Sequence, residues 1–200
     1  MGAGSNNAAQ EARQAEAERS ARIANTTAQI NNVYDAPERN KQYGDFLSAV
    51  RTHYTDDAGR QKKVADRNLK FSMARGGLTG GSADADARTT LGEEFTRGIL
   101  SAEDKAQGSL GDLKAQDEAS RMQLIGMAQS GMDATTAAAR AMSNVQSGAQ
   151  TARANATASG LGDIFTATNR TYQQQQEAAG RRAGMTAPVG SLYGTNPWGK

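Results

Sequence analysis

The scarcity of large apolar side chains is the feature that most restricts what this chain can fold into. Leu, Ile, Val and Phe together account for only 24 of its 200 residues, so the 37% hydrophobic content is largely alanine. Alanine favours helices but removes little surface from water. Burial at about 25 cal/mol per Å² must offset the entropy of ordering the chain. We therefore expect long helices that gain much of their burial from other copies or other proteins.

Composition and charge restrict the function classes. The chain has no cysteine, which excludes disulfide frameworks and thiolate metal sites. Lys and Arg number 23 against 21 Asp and Glu, and the charges are interspersed as on solvated helix faces. No segment has the roughly 18–20 consecutive apolar residues of a membrane span. Met1–Asn7 lacks the basic region and apolar core of a secretory signal.

Two sequence signals mark the start of helices in the first part of the chain. Ser5 precedes a helical run and is expected to be its N-cap. Farther on, Asp35 can cap a helix, Pro37 suits a first helical turn, and Glu38 completes a capping-box pattern. We therefore expect one helix to end and another to begin at this point. A weak point in the second helix is expected at Asp56–Gly59.

A cluster of glycines interrupts the helical pattern after residue 75. Gly76, Gly77, Gly80 and Gly81 lie within six residues, and each glycine in a helix costs about 1 kcal/mol relative to alanine. Ser82 is expected to cap the helix that follows. The simplest structure is a helical hairpin with this glycine cluster as its hinge.

These breaks divide the chain into four parts. They are a helical arm (residues 1–75), a glycine-rich hinge (76–82), a long helical segment (83–183) and an extended tail (184–200). The long segment is expected to break near 130–133, with Asp133 as an N-cap. The tail contains prolines and glycines, so we expect Leu192, Tyr193 and Trp198 to dock on a partner. The predicted fold is all-α, with long helices in a hairpin that oligomerisation completes.

Apolar residues recur at helical spacing on both sides of the glycine cluster. Steps that are mostly three or four residues place them on one face of each helix, and Val64, Leu69, Phe71 and Met73 are expected to continue the first face. Farther along, glycine and alanine recur every four residues, and such small side chains let helix backbones approach closely. We interpret both sets as an oligomer or packing face: Tyr43, Phe46, Leu47, Val50, Tyr54, Leu91, Phe95, Ile99, Leu110, Leu113, Gly148, Ala152, Ala156 and Gly160.

The residues needed for catalysis or metal binding are sparse. His53 is the single histidine, and no serine lies in a nucleophile-elbow pattern. The adjacent carboxylates Glu93–Glu94 and Asp117–Glu118 point in different directions on a helix, so we expect them to be solvated. The glycine cluster follows no strand and contains no Gly-Lys-Ser/Thr, so it does not predict a phosphate loop. The sequence predicts no enzyme, no cofactor and no metal site.

Several blocks of the sequence resemble one known group of proteins. The chain has an alanine- and glutamine-rich helical start, the block SMARGGLTGGSADAD at 72–86, the block DEASRMQLIGMAQSGMD at 117–133, and a tail with glycine, proline and aromatic residues. Together these features resemble the small internal virion proteins of short-tailed bacteriophages, also called ejection or DNA-transfer proteins. Arg75–Asp86 and Asp117–Asp133 carry most of the resemblance.

The resemblance implies a location and a set of partners. Proteins of this group are packed near the portal, leave through the tail and assemble into a conduit for DNA across the host envelope. It therefore implies a virion protein that forms a homo-oligomer and binds other virion proteins, namely the portal, the larger internal proteins and the tail. After ejection the protein would reach the host envelope or periplasm, where nonspecific contact with phage DNA fits the same role. The best-studied small members of the group begin with a more apolar, membrane-prone segment that this sequence lacks, so direct insertion of the N-terminus into the outer membrane is not expected.

Three other interpretations stay open. A static head–tail adaptor or tail component would explain the helices and the tail, although adaptors usually have denser apolar bundles. A secreted helical filament subunit shares the composition, but such subunits have complementary helices at both termini. A DNA-organising or scaffolding protein would use the densest basic stretch, although a solvated helix face is the commoner use of such a pattern. That stretch contains Arg60, Lys62, Lys63, Arg67, Lys70 and Arg75.

Overall fold

Four long α-helices and no strand are present in residues 3–168 and 170, which the computed structural model describes. The helices are α1, Ala3–Tyr34; α2, Pro37–Gly76; α3, Ser82–Gln129; and α4, Ala134–Ala158. At a rise of 1.5 Å per residue, α2 and α3 are about 60 and 70 Å long. The predicted all-α class is confirmed.

The junction between α1 and α2 follows the predicted restart. α1 ends at Tyr34 and α2 begins at Pro37, because the fixed φ and missing N–H of proline suit the first position of a helix. Asp35, the expected N-cap, instead accepts hydrogen bonds from Arg121 of α3 on both carboxylate oxygens, at 2.9 and 3.0 Å. The restart is confirmed, but the carboxylate expected to cap α2 serves as a contact to another helix.

The end of α2 is a Schellman motif. The N–H of Leu78 donates to the carbonyl of Met73 at 3.0 Å, and the N–H of Gly77 donates to the carbonyl of Ala74 at 3.2 Å. Gly77 has a φ of 67°, in the left-handed region that a side chain disfavours. Glycine at this position therefore stops the helix and turns the chain.

The start of α3 differs from the sequence expectation. Ser82 is the first residue of the helix and not its N-cap. The carboxylate of Asp84 accepts a hydrogen bond from the backbone N–H of Gly80 at 3.0 Å, and Arg88 donates to the same carboxylate at 2.9 Å. The hydrogen bond from Gly80 and then that from Arg88 lower the pKa of Asp84. An acidic side chain in the first turn, favoured there by the helix dipole, stabilises this end.

The break between α3 and α4 repeats the glycine motif. Gly131 has a φ of 108°, and the N–H groups of Gly131 and Met132 donate to carbonyls at the end of α3, both at 3.1 Å. Asp133 is the N-cap of α4, since its side chain accepts from the N–H of Thr136 at 2.9 Å. Hydrogen bonding to the side chain and backbone of Thr136 lowers the pKa of Asp133. The predicted role of Asp133 is confirmed.

The chain divides into two compact units. Among the described residues, the first comprises those up to Tyr54 together with Ala102–Gly160, and the second comprises Thr55–Ser101 together with those from Leu161 onward. In the first unit, α1 packs along α4, and the end of α3 contributes to the same core. The buried apolar side chains of this core are Ile30, Tyr34, Leu124, Ala128, Ala137, Ala141 and Val145.

The first half of α1 lies in water. Residues 7–22 are exposed throughout, and the first buried side chain along the helix is Thr26, whose hydroxyl donates to the carbonyl of Arg22. Alanine and charged residues fill the exposed stretch, so it is helical mainly by local propensity. The large apolar residues of α1, namely Ile23, Ile30, Val33 and Tyr34, all lie in its second half.

The second unit is built on an antiparallel hairpin of α2 and α3 around the glycine turn. The ammonium of Lys62 on α2 lies 4.9 Å from the ring centroid of Phe95 on α3. Phe165, in the segment that follows α4, packs its ring against both helices. The core of this unit consists of Ala65, Leu69, Met73, Leu91 and Phe165.

Three further expectations are wrong. α1 begins at Ala3, so Ser5 is not its N-cap. α2 continues without a break through Asp56–Gly59, because one glycine within a helix costs only about 1 kcal/mol. Leu69 and Met73 are each 2% exposed and continue the packing face, but Val64 and Phe71 do not, since they are 53% and 66% exposed.

Candidate functional site

A buried ion pair joins α2 to α3 in the first unit. Arg39 and Asp117 are only 2% and 4% exposed. The Nε of Arg39 donates to Oδ2 of Asp117 at 2.7 Å, and Nη2 donates to the same oxygen. The remaining nitrogen, Nη1, donates to Gln42 at 2.8 Å. Because a buried charge is costly unless it is paired and hydrogen-bonded, these two residues fix the register of the two helix segments.

Tyr43 completes this cluster. Its hydroxyl donates to Oδ2 of Asp117, and its ring centroid lies 4.5 Å from Cζ of Arg39. The ammonium of Lys114 lies 5.4 Å from the same centroid. Burial, followed by the hydrogen bond to Asp117, raises the pKa of Tyr43 to about 12. At neutral pH the hydroxyl is therefore a donor, and Asp117 accepts from both partners.

A polar cleft of about 330 Å³ opens beside the cluster. The buried hydroxyl of Tyr34 makes no hydrogen bond of acceptable geometry, although Ser120 and Asn144 lie near it. Burial raises the pKa of Tyr34. Acidic and basic groups alternate around the cleft, and none of its lining residues is a serine, cysteine or histidine. They are Tyr34, Asp35, Asn40, Tyr43, Lys114, Asp117, Glu118 and Arg121.

A second buried carboxylate, that of Glu94 on α3, accepts hydrogen bonds in the second unit. It is 5% exposed and accepts hydrogen bonds from the N–H of Ala167 at 2.8 Å and from the N–H and hydroxyl of Thr168 at 3.3 and 2.5 Å. A helical turn begins at Thr166. Glu94 thus satisfies the free N–H groups of that turn from a different helix, as an N-cap would.

Two polar side chains of α2 hold the preceding residues of the same segment. Gln61 donates to the carbonyl of Gly162 at 2.9 Å and accepts from the N–H of Ile164 at 3.2 Å, and Asp57 accepts from the N–H of Leu161 at 3.4 Å. Burial opposes the ionisation of Asp57, but hydrogen bonds, led by that from Leu161, outweigh it and lower the pKa. We call residues 161–168, held in this way, the strap.

The strap also makes a close contact with α3. A Cβ atom placed on Gly98 would lie 2.5 Å from Cδ1 of Ile164. The absence of a side chain at position 98 therefore lets Ile164 of the strap lie against α3. This contact does not involve the hydrogen bonds to Glu94.

The residues predicted to form an oligomer or packing face are covered to different degrees within this one chain. Seven of them are buried: Phe46, Val50, Tyr54, Leu91, Leu113, Gly148 and Ala156. Six are half-buried: Tyr43, Leu47, Phe95, Ile99, Leu110 and Ala152. Gly160 is exposed and lies beyond the end of α4, so no described part of this chain covers it. Much of the cover expected from other copies therefore comes from helices of the same chain.

The predicted hinge glycines form the turn between α2 and α3. Gly76 is the last residue of α2, while Gly77 and Gly80 have φ of 67° and 78°. Gly81 directly precedes α3. Two of the four positions thus require glycine for their backbone conformation, and movement at this turn stays a prediction.

The remaining predicted site residues are placed as follows. His53 is half-buried, and its ring lies 5.5 Å from that of its neighbour Tyr54. The predicted docking residues Leu192, Tyr193 and Trp198 lie outside the described part of the chain.

The buried charges are the residues that sequence reasoning missed. Glu94 and Asp117 were expected to be solvated and are buried, whereas their neighbours Glu93 and Glu118 are exposed. A signal was present: Asp117 follows Leu113 by four residues, so it occupies a core position of an otherwise apolar stripe. Arg39 precedes Tyr43, the first residue of the packing face on α2, by four residues. One charge of each sign at core positions is the pattern of a buried pair that fixes register.

The site holds helices together and presents no recognisable catalytic set. Among the described residues, no cluster of three or more His, Asp or Glu side chains is placed to hold a metal ion. None of the described helices is both long enough and apolar enough to cross a membrane. No protein family model matches the chain, and no curated protein or solved structure is significantly similar to it.

Proposed function

We propose that the protein is a structural protein of a bacteriophage virion, of the internal or ejection type, which helps to form a conduit for genome delivery across the host envelope. Its role is assembly through helix packing and not catalysis. It acts with other copies of itself and with other virion proteins. The resemblance of Arg75–Asp86 and Asp117–Asp133 to such proteins is the basis of the proposal.

One observation carries the proposal: both blocks of resemblance coincide with the residues that set the helix geometry. The first block contains Gly77, which ends α2, and Asp84 in the first turn of α3, which accepts a hydrogen bond from the N–H of Gly80 just before that helix. The second contains Asp117 of the buried ion pair, Gly131 of the next turn, and the N-cap Asp133. The likeness therefore concerns determinants of the fold and not only an alanine-rich composition.

The use of the buried charges supports an assembly role. The hydrogen bonds of Arg39, Asp117 and Glu94 join them to other parts of the same chain. Catalytic carboxylates are instead arranged so that they reach a substrate. Because these three buried charged groups hold segments of the fold together, a structural function fits the protein better than an enzymatic one.

The proposal is tested by following the protein through infection. Mass spectrometry should detect it in purified virions, and it should be lost from particles whose DNA release has been triggered. It should then appear in the envelope fraction of infected cells. The major capsid protein, which stays with the emptied particle, is the control. Absence of the protein from purified virions would contradict the whole proposal.

A static head–tail adaptor or tail component is the second candidate. The observation in its favour is that Phe46, Val50 and Tyr54 are buried within the chain, as in a self-contained bundle. An adaptor should stay with the particle after DNA release, and the isolated protein should have a protease-resistant core. An ejected protein should leave, and its isolated form should be digested more readily.

A further inference from the structure

One face of α2 in the second unit is exposed and combines basic with apolar side chains. Arg60, Val64, Arg67, Phe71 and Arg75 follow one another at steps of three or four residues, which places them on a single helix face. All five are exposed. Together with the exposed Lys63 we call these residues the exposed stripe.

The opposite face of the same helix segment is the packed one. Ala65, Leu69 and Met73 are each 2% exposed and belong to the core of the second unit. The stripe therefore faces away from that core. Val64 and Phe71 are seven residues apart and so lie almost in line, and Leu78, seven residues farther, is 42% exposed just beyond the helix. Three large apolar side chains of this segment are thus exposed, in a chain that is poor in such residues.

The stripe carries a strong local excess of positive charge. Between positions 60 and 75 there are six Lys and Arg residues and one acid, Asp66. Asp66 pairs with Lys70 at 2.8 Å, outside the stripe. Arg60 pairs with Asp57 at 3.3 Å, at the end of the stripe. Lys63 and Arg67, in the middle of the stripe, form no ion pair with any described residue, so charge complementarity favours an anionic partner at this point.

We propose that the exposed stripe docks on the surface of an anionic phospholipid bilayer, with Phe71, Val64 and Leu78 entering the headgroup region and the cations binding lipid phosphates. Interfacial helices combine apolar and Lys/Arg side chains in this way, without crossing the membrane. Each cation near an anionic membrane strengthens binding about fivefold. The inference does not depend on a virion role, since it follows from the stripe alone.

Two other occupants fit the stripe less well. The phosphate backbone of nucleic acid would attract the cations but would leave Val64 and Leu78 in water. A symmetric contact with a second copy would cover the apolar side chains but would bring Arg67 and Arg75 against the same residues of the other copy. Like charges placed together across an interface oppose association. Of these three partners, only a lipid surface uses both halves of the pattern.

The test is sedimentation of the purified full-length protein with two kinds of vesicle. One kind contains phosphatidylcholine alone, and the other contains equal parts of phosphatidylcholine and phosphatidylglycerol. The protein should bind the second kind and not the first, and binding should weaken as salt screens the charges. Equal binding to both kinds, or to neither, overturns the proposal.

Two variants with matched controls locate the surface. Lys63→Glu with Arg67→Glu should weaken binding by at least about 25-fold, because two attractive charges are lost. The same change of net charge at Lys41 and Arg153, exposed in the first unit, should have little effect. Phe71→Ser should weaken binding about tenfold through lost apolar contact. Met122→Ser, at a residue 61% exposed, is its control.

The remaining outcomes separate the alternatives. Circular dichroism should show unchanged helix content in every variant, because all the substituted side chains are exposed. Binding to duplex or single-stranded DNA that depends on the stripe, without vesicle binding, would reassign it to nucleic acid. A dimer in solution that Phe71→Ser abolishes would reassign it to self-association. Vesicle binding that the control variants lose equally would show that the stripe is not the surface. Failure on vesicles would leave incorporation into virions unaffected, so the two proposals fail separately.

Discussion

The guanidinium of Arg39 on α2 and the carboxylate of Asp117 on α3 form an ion pair that is almost completely shielded from water, 78 residues apart in sequence. Six of the fourteen buried apolar residues in the same unit are alanines. Small apolar side chains specify helix register weakly because a helix faced with them can slide at little cost. A shift of one helix along the other would separate the two charges, so the pair adds to the specificity of the apolar core.

Removing the negative charge of this pair should destabilise the fold strongly. Asp117→Asn keeps the size of the side chain but leaves Arg39 buried without a counter-charge, which costs about 3–5 kcal/mol. Urea unfolding followed by circular dichroism measures this free energy. Glu103→Gln breaks the exposed pair with Arg51 and should change stability little. Equal effects of the two substitutions would show that burial does not matter here.

A high-pH transition should report on Tyr43. Its pKa is raised from 10.0 to about 12 in the folded protein, so folding favours the neutral hydroxyl. This contribution to the free energy of unfolding is complete below pH 10 and is lost as the pH rises from 10 towards 12, where the unfolded chain ionises first. Unfolding measured over this range should show a steeper loss for the wild type than for Tyr43→Phe. Parallel curves would contradict the prediction.

A glycine just after α2 and a glycine inside it should respond to alanine in opposite directions. Gly77 has a φ of 67°, so Gly77→Ala forces a side chain into the left-handed region at a cost of about 1–2 kcal/mol. Gly59 lies inside the helix with nothing within 4 Å of an added Cβ, so Gly59→Ala should stabilise by about 0.5–1 kcal/mol. Thermal unfolding distinguishes the two signs. A gain at both positions would contradict the Schellman geometry.

The contact between Gly98 and Ile164 should couple the two positions. An added Cβ would lie 2.5 Å from Cδ1 of Ile164, so Gly98→Ala should lose most of the gain that alanine brings to a helix. In an Ile164→Ala background the obstructing atom is absent, and Gly98→Ala should then stabilise by about 0.5–1 kcal/mol. A double-mutant cycle from urea unfolding gives the coupling. A coupling energy of zero would mean that the strap does not lie against α3.

Neighbouring glutamates should differ in their effect on the strap. Glu94→Ala removes the acceptor for Ala167 and Thr168, so amide hydrogen exchange in residues 161–168 should become faster. Glu93→Ala changes an exposed side chain one position away and should leave that exchange unchanged. The expectation fails if both substitutions accelerate exchange alike, because the effect would then come from α3 as a whole.

Local signals predicted several of the helix ends. Pro37 and Asp133 mark helix starts, and Gly77 and Gly131 mark helix ends, through interactions within a few residues of each position. Such interactions depend on the backbone and on one or two side chains, so a sequence reader can identify them. Ser5 and Ser82 show the limit, because each serine lies close to a true helix start and yet is not the cap.

The sequence by itself determined the helical class and the position of the restart between α1 and α2, since propensity, periodicity and capping act over short distances along the chain. Only the tertiary structure decided that Asp117 meets Arg39 and that Glu94 caps the strap. It also decided that Phe71 faces water while Leu69, two residues earlier, is buried. The physical reason is that burial depends on which distant segment covers a helix face, and one helix's periodicity does not contain that information.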